Sequence, residues 1–135
     1  MQFHPPLITA LWAGLNGLLA LGLAINVTRN RWKLRIPIGD GGNPVMLQAI
    51  RTHANNIEYV PLALVLLAVA EMAGAPGLAV HVLGGGLLLG RVLHALGLTR
   101  STGTSPGRAA GMALTWLMIA LSCLYALYLF AIGGR

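Results

Sequence analysis

Four long apolar runs follow one another along this chain, and one of the four can cross a bilayer only if it takes a charged stretch into its helix. Leu7–Val27, Leu78–Leu98 and Ala109–Ile132 are each long enough for a hydrocarbon core of ~30 Å at ~1.5 Å per residue. The remaining run extends from about Val45 to Ala73, yet its continuous apolar part, Val60–Ala70, is too short to span. It crosses only if residues 51–58, Arg-Thr-His-Ala-Asn-Asn-Ile-Glu, are helical as well. Charge is thereby committed to one end of a membrane helix, where ionisable groups mark a site more often than filler.

Composition agrees with that reading. Of 135 residues, 56% are hydrophobic and 9% charged, and the mean hydropathy of +0.74 excludes an ordinary soluble domain. The expected fold is an all-α integral membrane protein, one domain over 1–135, built as an antiparallel bundle of four transmembrane helices near 6–28, 44–73, 77–98 and 107–132. Cys123, the single cysteine, has no partner for a disulfide and reads as a small apolar residue.

The net charge of +6 would suggest nucleic acid in a soluble protein, but here the cations are sorted by connection, and no nucleic-acid partner is expected. Arg29, Arg31, Lys33 and Arg35 fall in the first connection, Arg100 and Arg108 in or beside the third, and none in the second. The positive-inside rule then makes the first and third connections cytoplasmic and both termini periplasmic, with Arg135 a weak dissent. The N-terminal Met-Gln-Phe-His-Pro-Pro lacks the basic region of a cleavable signal, so the first run is expected to stay as an anchor. In the first connection, charges alternate with Trp32, Leu34 and Ile36, which suits a lipid headgroup surface.

Gly39-Asp40-Gly41-Gly42-Asn43-Pro44 carries turn glycines, a favoured N-cap and a favoured first helical residue, so the second helix should begin at Asn43 or Pro44. Pro61 removes a donor within it and predicts a kink. Gly86 and Gly90 in the third helix have the spacing that lets another helix approach closely. Glu71 and His81 flank the short second turn and read as an interfacial pair.

On the second helix, Arg51, Asn55 and Glu58 share one face, with Tyr59 on its flank. The third helix runs antiparallel to the second, which brings Arg91 and His94, at i and i+3, to the same depth near the cytoplasmic surface. Arg108 begins the fourth helix on that side. Such a set suits a small zwitterion with more than one carboxylate: guanidinium forks hold carboxylates, Glu58 can accept from an ammonium, and Asn55 can donate and accept. One acid and one or two imidazoles make a metal site unexpected. The competing structural role is a buried ion network that fixes packing. His53 and Asn56 face away from the Arg51 stripe and are expected to contact another helix or subunit.

The pattern Arg51-x-x-x-Asn55-x-x-Glu58-Tyr59-x-Pro61, followed by Arg91-x-x-His94, resembles the signature of the membrane-associated proteins in eicosanoid and glutathione metabolism, the MAPEG family. The resemblance covers the whole chain and is strongest to the short bacterial members. It implies a homotrimer in a bacterial inner membrane, with glutathione as co-substrate bound between neighbouring subunits near the cytoplasmic side. It also implies that Arg51, Asn55, Glu58, Tyr59, Arg91 and His94 bind glutathione. Arg108 is the nearest match to the family arginine linked to thiolate formation, the catalytic role. A tyrosine seven residues beyond the helix 3 arginine of better-studied enzymes is Leu98 here, a departure that bears on turnover.

Three functions are therefore in play. The first is a glutathione transferase-type or peroxidase reaction on an apolar small molecule arriving from the lipid bilayer. The second is a membrane trimer that binds glutathione or a related ligand without turnover. The third, a small proton-coupled exporter, needs an acid deep in the bilayer, and Glu58 lies too near one end.

Overall fold

A computed structural model gives the structure of residues 5–100 and 105–133, without the side chain of Arg100. The first four residues, most of the third connection and Arg135 lie outside the described residues. Four helices form: α1 (Leu7–Leu34), α2 (Pro44–Met72), α3 (Gly77–Arg100) and α4 (Pro106–Gly133). All four are long and apolar enough to span a membrane.

α1 outruns the expected boundary near residue 28 by more than a turn, so Arg29, Arg31 and Lys33 ride on the helix rather than in a connection. The reason is local. Arg31 and Lys33 in the last turn complement the partial negative charge of the exposed carbonyls, and Arg35 closes the helix in the left-handed region at φ 56°. The Arg31 guanidinium then donates to the carbonyls of Ile36 (3.4 Å) and Gly39 (3.1 Å), tying the following loop back to the helix. Trp32 remains 81% exposed beside these cations.

α2 starts as its sequence predicts. Asn43 caps it by accepting from the amides of Val45 (3.0 Å) and Met46 (3.1 Å), and Pro44 takes the first helical position. Pro61 is carried on an exposed face inside one continuous helix.

α2 and α3 make the centre of the bundle, each touching three other helices, while α1 and α4 flank them without meeting each other among the described residues. Small residues set the α3–α4 distance. A Cβ on Gly90 would lie 2.9 Å from the Thr115 hydroxyl and 3.0 Å from the Gly111 carbonyl, and one on Gly111 would collide with the His94 amide. This close approach is the one the Gly86–Gly90 spacing predicts, with α4 as the partner. Leu67, Val80, Leu83 and Met118 form the apolar core nearer the opposite end, against Ile8 and Trp12 of α1.

Glu71 does more than the expected interfacial pairing with His81. Its carboxylate is buried and accepts from the amides of Ile8 (2.9 Å) and Thr9 (2.7 Å), capping the start of α1 from the end of α2. Two otherwise unpaired helix donors and a partial positive charge account for a buried acid at that position. His81 packs edge-on against Trp12, with ring centroids 5.9 Å apart and planes at 79°, and also acts electrostatically on Glu71. Glu71→Ala strips both amides of their acceptor and is expected to cost about 1–3 kcal/mol, with Glu71→Gln losing less. Thermal unfolding in detergent measures this, and equal melting of Glu71→Ala and wild type would refute the clamp.

Candidate ligand-binding site

Three helix ends converge at the basic end of the bundle. The first turns of α2 lie beside the last turns of α3, where the Gln48 side-chain amide donates to the Leu98 carbonyl. The start of α4 is fixed against α3 by Ser105, whose hydroxyl accepts from the Arg108 amide (3.3 Å) and donates to the Gly97 carbonyl (3.1 Å). Gly97 faces the Arg108 backbone so closely that any Cβ there would collide with it. The Arg108 carbonyl also meets Nδ1 of His94 at 3.1 Å.

A groove of about 300 Å³ opens between these ends, lined by Pro44, Leu47, Gln48, Arg51, Asn55, His94, Leu98 and Arg108. A second cavity of about 320 Å³ adjoins it and shares Asn55, His94 and Arg108, but is completed by Ser105, Ala109, Met112 and Trp116. One side is thus cationic and polar. The other keeps Asn55, His94 and Arg108 in its wall, adds Ala109, Met112 and Trp116, and borders the exposed face of α4, which carries Trp116 and Leu117.

Arg91 sits behind Asn55 rather than in the groove lining. It is 1% exposed, and its Nη2 donates to Asn55 Oδ1 at 2.7 Å, with longer bonds to Asn56 Oδ1 and Thr115 Oγ1, both 3.4 Å. The Tyr59 ring lies 5.8 Å from its Cζ, within cation–π range. Among the described residues no carboxylate forms an ion pair with it, Glu58 acting on it only from a distance, so its hydrogen bonds go to neutral groups and a ring face lies against its charge. Glu58 instead pairs with Arg51 at 3.6 Å, with both side chains about half exposed.

Four of the seven residues singled out from sequence, Arg51, Asn55, His94 and Arg108, therefore line one groove within a single chain. Arg91 and Tyr59 support it from behind, and Glu58 touches it through Arg51. Asn56 meets another helix, as its orientation predicts, through Arg91. Gln48 went unnoticed, although 48, 51 and 55 have the i, i+3, i+7 spacing of one helical face. Thr115, 24 residues from Arg91, left no such trace. Among the described residues no three His, Cys, Asp or Glu gather as metal ligands.

The family profile of MAPEG matches residues 9–128, through all four helices. This chain belongs to the MAPEG family. It is 38% identical over 122 residues to the inner membrane protein YecN of Escherichia coli K12, a match covering 90% of this chain and 92% of that protein. The protein of the same name from Escherichia coli O6:H1 matches equally. The groove of this MAPEG protein owes its shape to the glycine contacts on α3 and α4. Gly97→Ala should displace the start of α4, costing about 1–3 kcal/mol as overpacking does, whereas Gly107→Ala should stay within about 0.5 kcal/mol. A Cβ on Gly107 would meet its nearest atom at 3.6 Å, an ordinary contact. Paired thermal melts check the contrast, and similar losses in both variants would refute it.

Proposed function

We propose that this protein is a glutathione-dependent membrane enzyme, of transferase or peroxidase type, acting on an apolar electrophile from the bilayer. The observation that carries the reading is the pair of adjoining cavities that share Asn55, His94 and Arg108, one extending to Arg51 and the other to Met112 and Trp116. Arg51 is suited to a carboxylate of the tripeptide and Arg108 to its thiolate, and a cavity of this size falls near the lower end of the ~300–1,000 Å³ range of small-molecule sites. The thiol would then sit at the junction. A free thiol has a pKa near ~8.5, and a guanidinium beside it favours the thiolate, the form that attacks an electrophilic carbon. Met112 and Trp116 supply an apolar seat for that second substrate, reachable from the lipid face of α4.

In this reading the basic end faces the cytoplasm, both termini face the periplasm of a bacterial inner membrane, and the protein assembles as a homotrimer. The name of its E. coli relatives, an inner membrane protein, supports the location. The half-exposed Arg51–Glu58 pair on α2 supports a neighbouring subunit that completes the site.

Binding is tested by calorimetry on the protein in nanodiscs. Arg51→Ala should weaken glutathione binding by about 2–5 kcal/mol if the guanidinium holds a desolvated carboxylate. No heat and no thermal shift with glutathione would sink the reading. A second reading, a trimer that binds without turnover, is favoured by Leu98, whose aliphatic chain lines the groove where a tyrosine hydroxyl stands in the better-studied enzymes. Conjugation of an activated aryl halide separates the two. Turnover that falls by about 100-fold or more in Arg108→Ala, with glutathione still bound, is expected of the enzyme, since electrostatic stabilisation of a reacting anion is commonly of that size.

A further inference from the structure

The last turns of α1 and its cap gather Arg29, Arg31, Lys33 and Arg35, and among the described residues none of them forms an ion pair. The chain has only three acids, each engaged elsewhere. Asp40 accepts from the Gly42 amide, Glu58 pairs with Arg51, and Glu71 caps the far end of α1. Four cations are thus left for a partner outside the chain.

Continuation of the helix through Leu34 decides how they are arranged. In an extended segment alternate residues would share one side. At ~100° per residue the helix instead puts Arg29 and Lys33 on one flank of Trp32 and Arg31 on the other. Two recesses follow that division, with Trp32 as their shared wall. One, of about 430 Å³, is lined by Asn26, Arg29, Asn30, Trp32 and Lys33. The other, of about 560 Å³, is lined by Arg31, Trp32, Arg35 and Pro37. Arg31 is committed there, since it ties the loop back through the carbonyls of Ile36 and Gly39. Arg29 and Lys33 make no hydrogen bond to the protein among the described residues, so their flank is the one open to a ligand.

Depth selects the ligand. The apolar run of α1 ends at Val27, and a headgroup layer ~5–8 Å deep holds, at ~1.5 Å per residue, the stretch from Thr28 to about Lys33. Trp32 is 81% exposed at that level, where an indole packs beside headgroups. A soluble acidic partner would have to displace lipid to reach the same recess.

We propose that the Arg29–Lys33 recess is a headgroup site for an anionic phospholipid. The guanidinium and ammonium hold its phosphodiester, and the Trp32 ring lies along the glycerol and the upper acyl chain. A zwitterionic lipid brings its own cation to the same two charges, so the recess discriminates by headgroup. The site is separate from the groove between α2, α3 and α4, and its test needs no glutathione.

The protein is reconstituted in nanodiscs of equimolar phosphatidylglycerol and phosphatidylcholine with matched chains, and native mass spectrometry reads which lipid is retained. Wild type should retain phosphatidylglycerol at least about 10-fold over phosphatidylcholine, since each cation at an anionic surface contributes about 5-fold. Arg29→Gln should lower that ratio about 5-fold, whereas Arg51→Gln, which removes the same charge from outside the recess, should leave it unchanged. Equal retention of the two lipids by wild type overturns the site and needs no variant to fold. An equal fall in both variants also overturns it, by showing general surface charge. Displacement of phosphatidylglycerol by excess inorganic phosphate overturns it in favour of a soluble anion.

Discussion

The buried guanidinium of Arg91 is the interaction on which the basic half of the bundle depends. An arginine inside a spanning helix is costly unless its donors and its charge are both met, and pairing with one carboxylate is the usual remedy. Here the remedy is distributed. Asn55, Asn56 and Tyr59 of α2 and Thr115 of α4 surround a side chain from α3, so three helices are held in register by one cation. Every hydrogen-bond partner is neutral, and Glu58, paired with Arg51, offsets the charge only from a distance. The basic end of the bundle therefore keeps a positive potential around Asn55.

The opposite end is closed by different means. Glu71 brings the one buried carboxylate among the described residues to the N-terminus of α1, where two backbone amides donate to it as their cap. α1 is thus attached to α2 at its first turn and again where its C-terminal extension carries the basic loop leading into α2. Between these attachments much of its surface is apolar and exposed, including Leu11, Leu15, Leu18, Leu21 and Ile25, as a helix against lipid or another subunit requires. Site and scaffold are separated along the bundle axis: polar bonds dominate one end and side-chain packing the other.

The helices were legible in the sequence because length and apolarity suffice for spans, and Asn43-Pro44 names the start of α2 in its own chemistry. The end of α1 was not, since hydropathy drops at Arg29 while backbone hydrogen bonding continues for more than a turn beyond the apolar run. At the site, periodicity on α2 and antiparallel pairing with α3 placed Arg51, Asn55, His94 and Arg108 together. The same reasoning put Glu58 on that face without giving its pairing with Arg51, because a helical wheel gives the face of a residue but not which partner it meets. It missed Thr115 and Gln48 for the complementary reason. Small neutral residues do not announce themselves until the chain is folded and a buried donor or a free carbonyl requires them.

Leu98 shows how these levels meet. Its backbone carbonyl anchors Gln48, its side chain lines the groove, and its position is set by Gly97, whose missing side chain lets the start of α4 come in. Restoring a hydroxyl at position 98 would therefore act on more than one contact, since the backbone that orients Gln48 is the same backbone that would carry the new ring. The leucine at position 98 is thus coupled, through one stretch of backbone, to a polar residue on the facing helix: a change at either position is felt at the other.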